Sequence, residues 1–453
     1  MVFTSLEFLF LFLPLSILLH AAAPERCRNG VLLLLSVLFL IGGGLPRLGL
    51  FLAMLLCSYG CGLFLERCKG KHVLCGVLLI LLFLLHGVLL AVLRPSSYSS
   101  AVAAWLYPLG ISYLALQGIG YCLDIAKGSI PAEHRLLSFA TYYLFYPKVL
   151  MGPVVSYADW KQILSEKQCD VPQIGAGLRL LVLGLGKKLL LANSAGLLHE
   201  VVQQSAGSER SMLAAWLSVL SFAAQLWLEG AAYSDMACGL ASCYGLRLPE
   251  NFGPLVLSKT VTDWVRNWNC TVVQWFHRSM YLPVSTKHWY GIAGQTIWIW
   301  LWIGVWCGNG VQFIGCGIWM GICMTLEYLL QRKMRHWYPS VQHIWTAAWL
   351  LGAVILLQAS SLPDLQENLT VLFGRGRLIR EQDQYLLFNG GLELAAVLAL
   401  LMVLPKWNTV RAVYEKKAAA LFRVLEPVGL LLLLLTSAAV LFYQQDVSIL
   451  FQL

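Results

Sequence analysis

Charge is what this sequence has least of. Only 12% of its 453 residues are Asp, Glu, Lys or Arg, while 58% are hydrophobic. A water-soluble domain carries about a quarter charged residues to cover its surface, so a soluble globule of this length is excluded. No low-complexity stretch and no internal repeat interrupts the chain, which argues against a repeat array. Positive charge is also lacking ahead of the first apolar stretch, Ser5 to His20, "SLEFLFLFLPLSILLH". Its only early charge is Glu7, and Arg26 and Arg28 come after it. A cleaved secretory signal is built the other way round. The stretch is therefore expected to stay as a first span, with its N-terminus outside the cell.

What is present is one apolar segment after another. After Ser5 to His20 come Val31 to Gly44, Leu48 to Leu65, Val73 to Leu93, Ala101 to Leu123 and Ala140 to Val155. Ile174 to Leu198, Met212 to Leu228, Thr296 to Val305 and Val311 to Leu330 follow, then Ile344 to Leu357, Leu392 to Leu404 and Val428 to Phe442. Roughly 20 apolar residues cross a bilayer, and backbone groups in lipid must be satisfied within helices. The expectation is an all-α polytopic membrane protein, one domain over residues 1–453, with about a dozen embedded segments, the shorter ones re-entrant. Ser360 to Gly391 is the longest polar stretch, and Asn408 to Arg423 reads as a basic surface helix.

The net charge of +9 comes from loops such as "ERCKGKH". Loops of this kind mark the cytoplasmic side and touch anionic lipid; no nucleic-acid partner is implied. A docking surface for an acidic cytoplasmic carrier is the alternative. Most of the thirteen cysteines lie in apolar stretches and read as small buried hydrophobes. Cys57 and Cys61 share a helix face, but without a neighbouring His they suggest no metal site.

The middle third differs. "AQLWLEGAAYSDMACGLASCYGLRLPENF" and "TDWVRNWNCTVVQWFHR" mix Glu229, Asp235, Arg266 and Asn269 with aromatics and glycines. Ionisable residues at membrane depth are costly and usually face a cavity or a partner. Gly230, Gly239 and Pro249 suggest short, broken helices lining such a cavity. On an unbroken helix Arg266 and Asn269 would stand one turn apart, with Trp264 and Trp268 as a neighbouring stripe. A packed interfacial helix with Trp at headgroup level is the competing reading. Further on, "IWIWLWIGVWCGNG" sets Cys307 between Trp306 and Gly308 at the end of an apolar run.

In order along the chain, "GISYLALQGIGYCLDIAKG" (Gly110 to Gly128), "YPKVLMGPVVSYADW" (Tyr146 to Trp160), "LGKKLLLANS" (Leu185 to Ser194) and "YSDMACGLASCYGLRLPENF" (Tyr233 to Phe252) resemble the membrane-bound O-acyltransferase (MBOAT) family. The resemblance is greatest to its bacterial branch of alginate O-acetyltransferases and teichoic acid D-alanyl transferases. It implies a helical bundle around a central tunnel in the bacterial inner membrane. It implies transfer of an acyl group, acetyl above all, from a cytoplasmic thioester towards hydroxyls of a cell-envelope polysaccharide. The donor would be acetyl-CoA or an acyl carrier protein, and an extracytoplasmic esterase-like acyltransferase would complete delivery. No bound cofactor and no metal are implied.

The resemblance also points to a reaction centre. Asn269 matches a position held by His in the alginate branch and by Asn in many eukaryotic members. Cys307 matches the His of a Trp-His-Gly triplet on a deeply buried helix, here Trp306, Cys307 and Gly308. Trp306, Trp268, Arg266, Tyr233, Asp235, Glu229 and His277 are the expected tunnel-lining or supporting residues. Two segments depart from the branch: an Asp-Phe-Ser-Gly-Tyr reads Glu229 to Tyr233, and an Arg-Asp reads His277 and Arg278. A hydroxyl attacks a thioester only as a base removes its proton, work suited to His. Asn269 cannot titrate and would act through its amide donors. Cys307 leaves three options: a weak base, a thiolate that carries the acyl group in a two-step relay, or a site without chemistry in a scaffold or acceptor-binding pseudoenzyme. A transporter is a further alternative, though no inverted repeat supports it.

Overall fold

A computed structural model describes residues 2–93, 110–167, 169–204, 210–253, 258–282, 288–334, 336–374, 377–403 and 407–443. Among them every regular element is helical. Backbone contacts divide the chain into two units, Met1–Gly184 with Tyr233–Glu250, and Leu185–Ala232 with Asn251–Leu453.

The first unit opens with a π-helical turn, Phe8–Phe12, that runs into α1 (Leu13–Ala22). It continues through α2 (Arg28–Ile41), α3 (Leu45–Arg67), α4 (His72–Leu93), α5 (Ile111–Ala126), α6 (Leu136–Leu144), α7 (Tyr146–Val149), α8 (Tyr157–Ser165) and α9 (Val171–Gly186). The second unit holds a π turn, Lys187–Ala192, then α10 (Asn193–Gln203) and the first two thirds of α11 (Met212–Cys243). Beyond residue 250 come α12 (Val261–Val265), α13 (Cys270–Ser279), α14 (Trp289–Cys307), α15 (Val311–Met334) and α16 (Pro339–Gln358). They are followed by α17 (Leu362–Leu372), α18 (Gln382–Leu386), a π turn Leu387–Gly391, α19 (Leu392–Val403) and α20 (Trp407–Tyr443).

Among the described residues six helical stretches are long and apolar enough to cross a membrane: Leu45–Arg67, His72–Leu93, Met212–Cys243, Val311–Gln331, Pro339–Gln358 and Leu425–Tyr443. Phe8–Ala22 and Ile111–Ala126 are shorter apolar helices. The protein is thus a multi-pass helical membrane protein. Part of the segment Ala101 to Leu123 lies outside the described residues. Ala140 to Val155 is no single span. It breaks at Phe145, where Pro147 starts a new short helix at the position that tolerates its missing N–H. The basic stretch Asn408 to Arg423 is not a separate helix but the first half of α20, continuous with the last span. The polar stretch Ser360 to Gly391 contains α17, α18 and a π turn.

Gly230 and Gly239 do not break α11, which runs for 32 residues. Their missing side chains serve close approach instead. A Cβ at Gly239 would meet the backbone of Gly177 and Leu181, and one at Gly230 the ring of Phe252. The first unit uses the same device where two of the family-like segments meet. Gly110, at φ +89°, caps α5 with its Cα against the carbonyl of Val149, a conformation and a proximity that only glycine combines.

Buried hydroxyls join distant parts of this unit. Tyr244 shares 2.7 Å hydrogen bonds with Ser16 of α1 and with Tyr146 of α7. Lys148, fully buried, lies over the ring of Tyr142 at 3.8 Å, a cation–π contact strengthened by the loss of water.

The loop before α6 is held by Glu133, which accepts from the Tyr157 hydroxyl at 2.7 Å and the Arg135 amide at 3.0 Å, beside Lys161 at 3.0 Å. Burial pushes its carboxyl up, but the Tyr157, Arg135 and Lys161 donors outweigh that and hold it below the ordinary 4.5. A carboxyl lowered in the fold stabilises it above the unfolded value and ceases to as pH falls through the folded one. Glu133→Gln is therefore expected to lower the melting temperature in detergent at pH 7. The gap to wild type should shrink as pH drops below 4.5, and a gap constant from pH 7 to acid would refute this account.

Candidate functional site

The segment that carries Asn269 is anchored at its start. Thr260 caps α12 by accepting from the Asp263 amide at 3.0 Å. Glu327, buried on α15, accepts from the amides of Val261 and Thr262 at 2.7 and 2.9 Å and from the Thr262 hydroxyl at 2.6 Å. A carboxylate suits the first turn of a helix, whose amides have no partner within the helix. Thr346 of α16 adds a hydrogen bond to the Lys259 carbonyl at 2.8 Å.

α12 then stops at Val265, so the unbroken helix that would stack Arg266 beneath Asn269 does not form. Asn267 bonds back to the Asp263 carbonyl at 2.9 Å, and its own carbonyl accepts from Gly253 at 2.8 Å. Asn269 sits in the left-handed region at φ 42°, ψ 46°, which Asn tolerates better than most side chains. Trp264 and Trp268 do pair, stacked at 4.7 Å. Arg266 is exposed and lies 3.9 Å from Asp263.

Asn269 is buried and held by Asn251, a residue the sequence reading did not single out. The Asn251 amide donates to Asn269 Oδ1 at 2.9 Å. Its Oδ1 accepts from the Thr271 amide and hydroxyl at 3.0 and 2.8 Å, and its carbonyl accepts from Cys270 N at 3.0 Å. With Oδ1 so engaged, the donating end of the Asn269 amide is Nδ2. Phe252, next to Asn251, packs edge-on against Trp268 at 5.4 Å and fills the notch at Gly230.

Glu229, beside that notch, is fully buried and paired with Lys188 at 2.9 Å; Lys188 also donates to Asn193 at 2.8 Å. Lys188 was not foreseen either, although a lysine inside the apolar run "KKLLLA" is a signal that a buried acid lies opposite. Tyr233, fully buried, and half-buried Asp235 belong to the first unit.

Cys307 is the last residue of α14 and is exposed, so it stands at a helix end and not inside a deeply buried helix. Gly308 turns the chain against the ring of Phe313. Trp306 meets Phe276 of α13 edge-to-face at 6.1 Å, so the ends of α13 and α14 touch, with His277 and Cys307 following those two rings. His277 is exposed on α13, and partial desolvation holds its imidazole below the ordinary 6.5, neutral at pH 7. Among the described residues no three His, Cys, Asp or Glu side chains gather to hold a metal.

Two substitutions test this scaffold. Asn251→Ala leaves the Thr271 donors buried without an acceptor, at about 1–3 kcal/mol, and should lower the melting temperature in detergent. Glu327→Ala releases α12 and should lower the melting temperature, whereas Asp263→Ala, at an exposed pair, should leave it unchanged. A wild-type melting temperature in Glu327→Ala would rule out the anchoring role.

The model of the membrane-bound O-acyltransferase family matches residues 126–363, a stretch that contains Asn251, Asn269, Cys307 and Glu327. The probable alginate O-acetylase AlgI of Azotobacter vinelandii is 30% identical over 350 residues, 73% of this chain and 69% of that protein. The probable alginate O-acetylase of Pseudomonas aeruginosa is 28% identical, covering 73% and 66% of the two chains. The teichoic acid D-alanyltransferase of Bacillus subtilis is 25% identical, covering 54% and 65%. The match thus spans about two thirds of the length of these relatives. Taken with its all-helical, multi-pass fold, these matches establish that the chain belongs to the membrane-bound O-acyltransferase family.

Proposed function

We propose that the protein transfers an acyl group, acetyl in the first instance, from a cytoplasmic thioester towards hydroxyls of a cell-envelope polysaccharide in the bacterial inner membrane. Acetyl-CoA or an acyl carrier protein is the donor, and an extracytoplasmic esterase-like acyltransferase takes the group onward. The observation that carries this reading is the fixed amide of Asn269. Asn251 and the left-handed backbone hold it in one orientation, with Nδ2 as the donor for a carbonyl oxygen on which charge develops. Such donors accelerate acyl transfer because they are set before the reaction and need no reorganisation. Asn269 takes no proton; that task falls to another group. Cys307, with neutral His277 on the adjoining helix end, is the candidate for it or for a thioester relay, the acyl carbon passing from donor sulfur to Cys307 Sγ and then to the hydroxyl.

A second reading, a scaffold or acceptor-binding pseudoenzyme, is favoured by one observation: neither Asn269 nor Cys307 carries an imidazole. Measuring O-acetyl content of the envelope polymer in a deletion strain complemented with variants decides between the two. Wild type is expected to restore acetylation, and Asn269→Ala to lower turnover about 10²–10³-fold, the usual loss for one such donor. Equal restoration by wild type and Cys307→Ala would remove the thiol from the chemistry. Restoration by Cys307→His alone would make the natural protein the pseudoenzyme.

A further inference from the structure

α11 is apolar enough to cross a membrane, yet Ser218, Ser221, Gln225 and Glu229 on it are each at most 3% exposed. Their spacings of three and four residues align them in one stripe, about 16 Å from end to end at 1.5 Å per residue. The stripe faces α10 and the π turn before it. His199 Nδ1 meets Ser218 Oγ at 2.8 Å, the Gln225 amide fills the space that a side chain at Gly196 would need, and Lys188 meets Glu229 at 2.9 Å. Apolar side chains wall the seam, among them Ala195, Leu198, Ala224 and Leu394.

Gln225 sets this seam apart from ordinary packing. It is fully buried, and neither its amide nitrogen nor its oxygen has a hydrogen-bond partner among the described residues. Leaving such groups bare costs about 1–3 kcal/mol each, and an internal water with several polar neighbours is the usual remedy. The two ends of the seam are also distinctive. At one, Glu229 adjoins Gly230, whose notch holds Phe252 next to Asn251 and hence Asn269. At the other, Ser218 lines a surface pocket with Gln203, Arg210, Glu367 and Asn368.

We propose that this seam is a water-filled proton path between the neighbourhood of Asn269 and that pocket. The proposal rests on the acyl-transfer reading and supplies what Asn269 cannot. As the acceptor oxygen bonds to the acyl carbon and the carbon–sulfur bond breaks, the hydroxyl proton enters the seam and leaves to bulk water at the pocket. The departing thiolate takes a proton from water on the donor side, so no net charge or proton is gained. Glu229 and Lys188 hold the inner end, and the Gln225 amide orients the water between them and Ser218.

X-ray hydroxyl-radical footprinting of the full chain in lipid nanodiscs tests the water directly. Phe222, 6% exposed and 5.0 Å from the His199 ring, should be oxidised in wild type and about three-fold less in Gln225→Leu, which closes the seam to water. Absent labelling in wild type, or equal labelling in both at equal melting temperature, overturns the proposal. The proton role is read with radiolabelled acetyl-CoA and envelopes of the deletion strain as acceptor. Gln225→Leu should lower kcat about ten-fold, leave KM for acetyl-CoA unchanged and slow more than wild type in D2O. An unchanged kcat and isotope effect overturns that role. An inactive wild type refutes the acyl-transfer reading and the proton role with it, while labelling still decides whether the seam holds water.

Discussion

An ammonium and a carboxylate buried side by side among apolar helices persist only as a pair, and the pairing of Lys188 with Glu229 orders much of the second unit. Removing one partner of such a pair costs about 3–5 kcal/mol, because the other is left charged in a poorly polarisable medium. Here the pair fixes the π turn before α10 against α11. That sets the position of Gly230, whose notch receives Phe252; Phe252 braces Trp268, and its neighbour Asn251 holds Asn269. A chain of contacts thus runs from one buried ion pair to the side-chain amide of Asn269.

Much of this was legible in the sequence, and the misses have physical causes. Long spans such as Leu45–Arg67 and His72–Leu93 announce themselves because lipid permits little but an apolar helix there. Ala140 to Val155 looked alike, since burial inside protein and burial in lipid select the same residues; only the local conformation at Phe145 separates them. Gly230 and Gly239 were ambiguous for another reason. A glycine marks either a weak point in a helix or a place where something packs close, and which one depends on partners far away in the chain.

The site divides along the same line. Asn269 and Cys307 were singled out through resemblance alone, whereas the tryptophan pair, which does stack, was read from spacing. Asn251 gave no local signal, because its role exists only once residues eighteen apart are brought together. The left-handed backbone at 269 also accounts for the pattern that the resemblance brought out. Asn and His are both enriched in that region, so the fold accepts either residue there, whereas a β-branched side chain would be strained.

Cys307 ends its helix on the surface, and Gly308 with Phe313 makes the turn that follows. Packing of the bundle therefore hardly registers which side chain occupies that position. An imidazole would be accommodated there without refilling the helix interior. Folding alone therefore constrains this residue little, and exchange between thiol and imidazole is structurally permissive whatever role the position has.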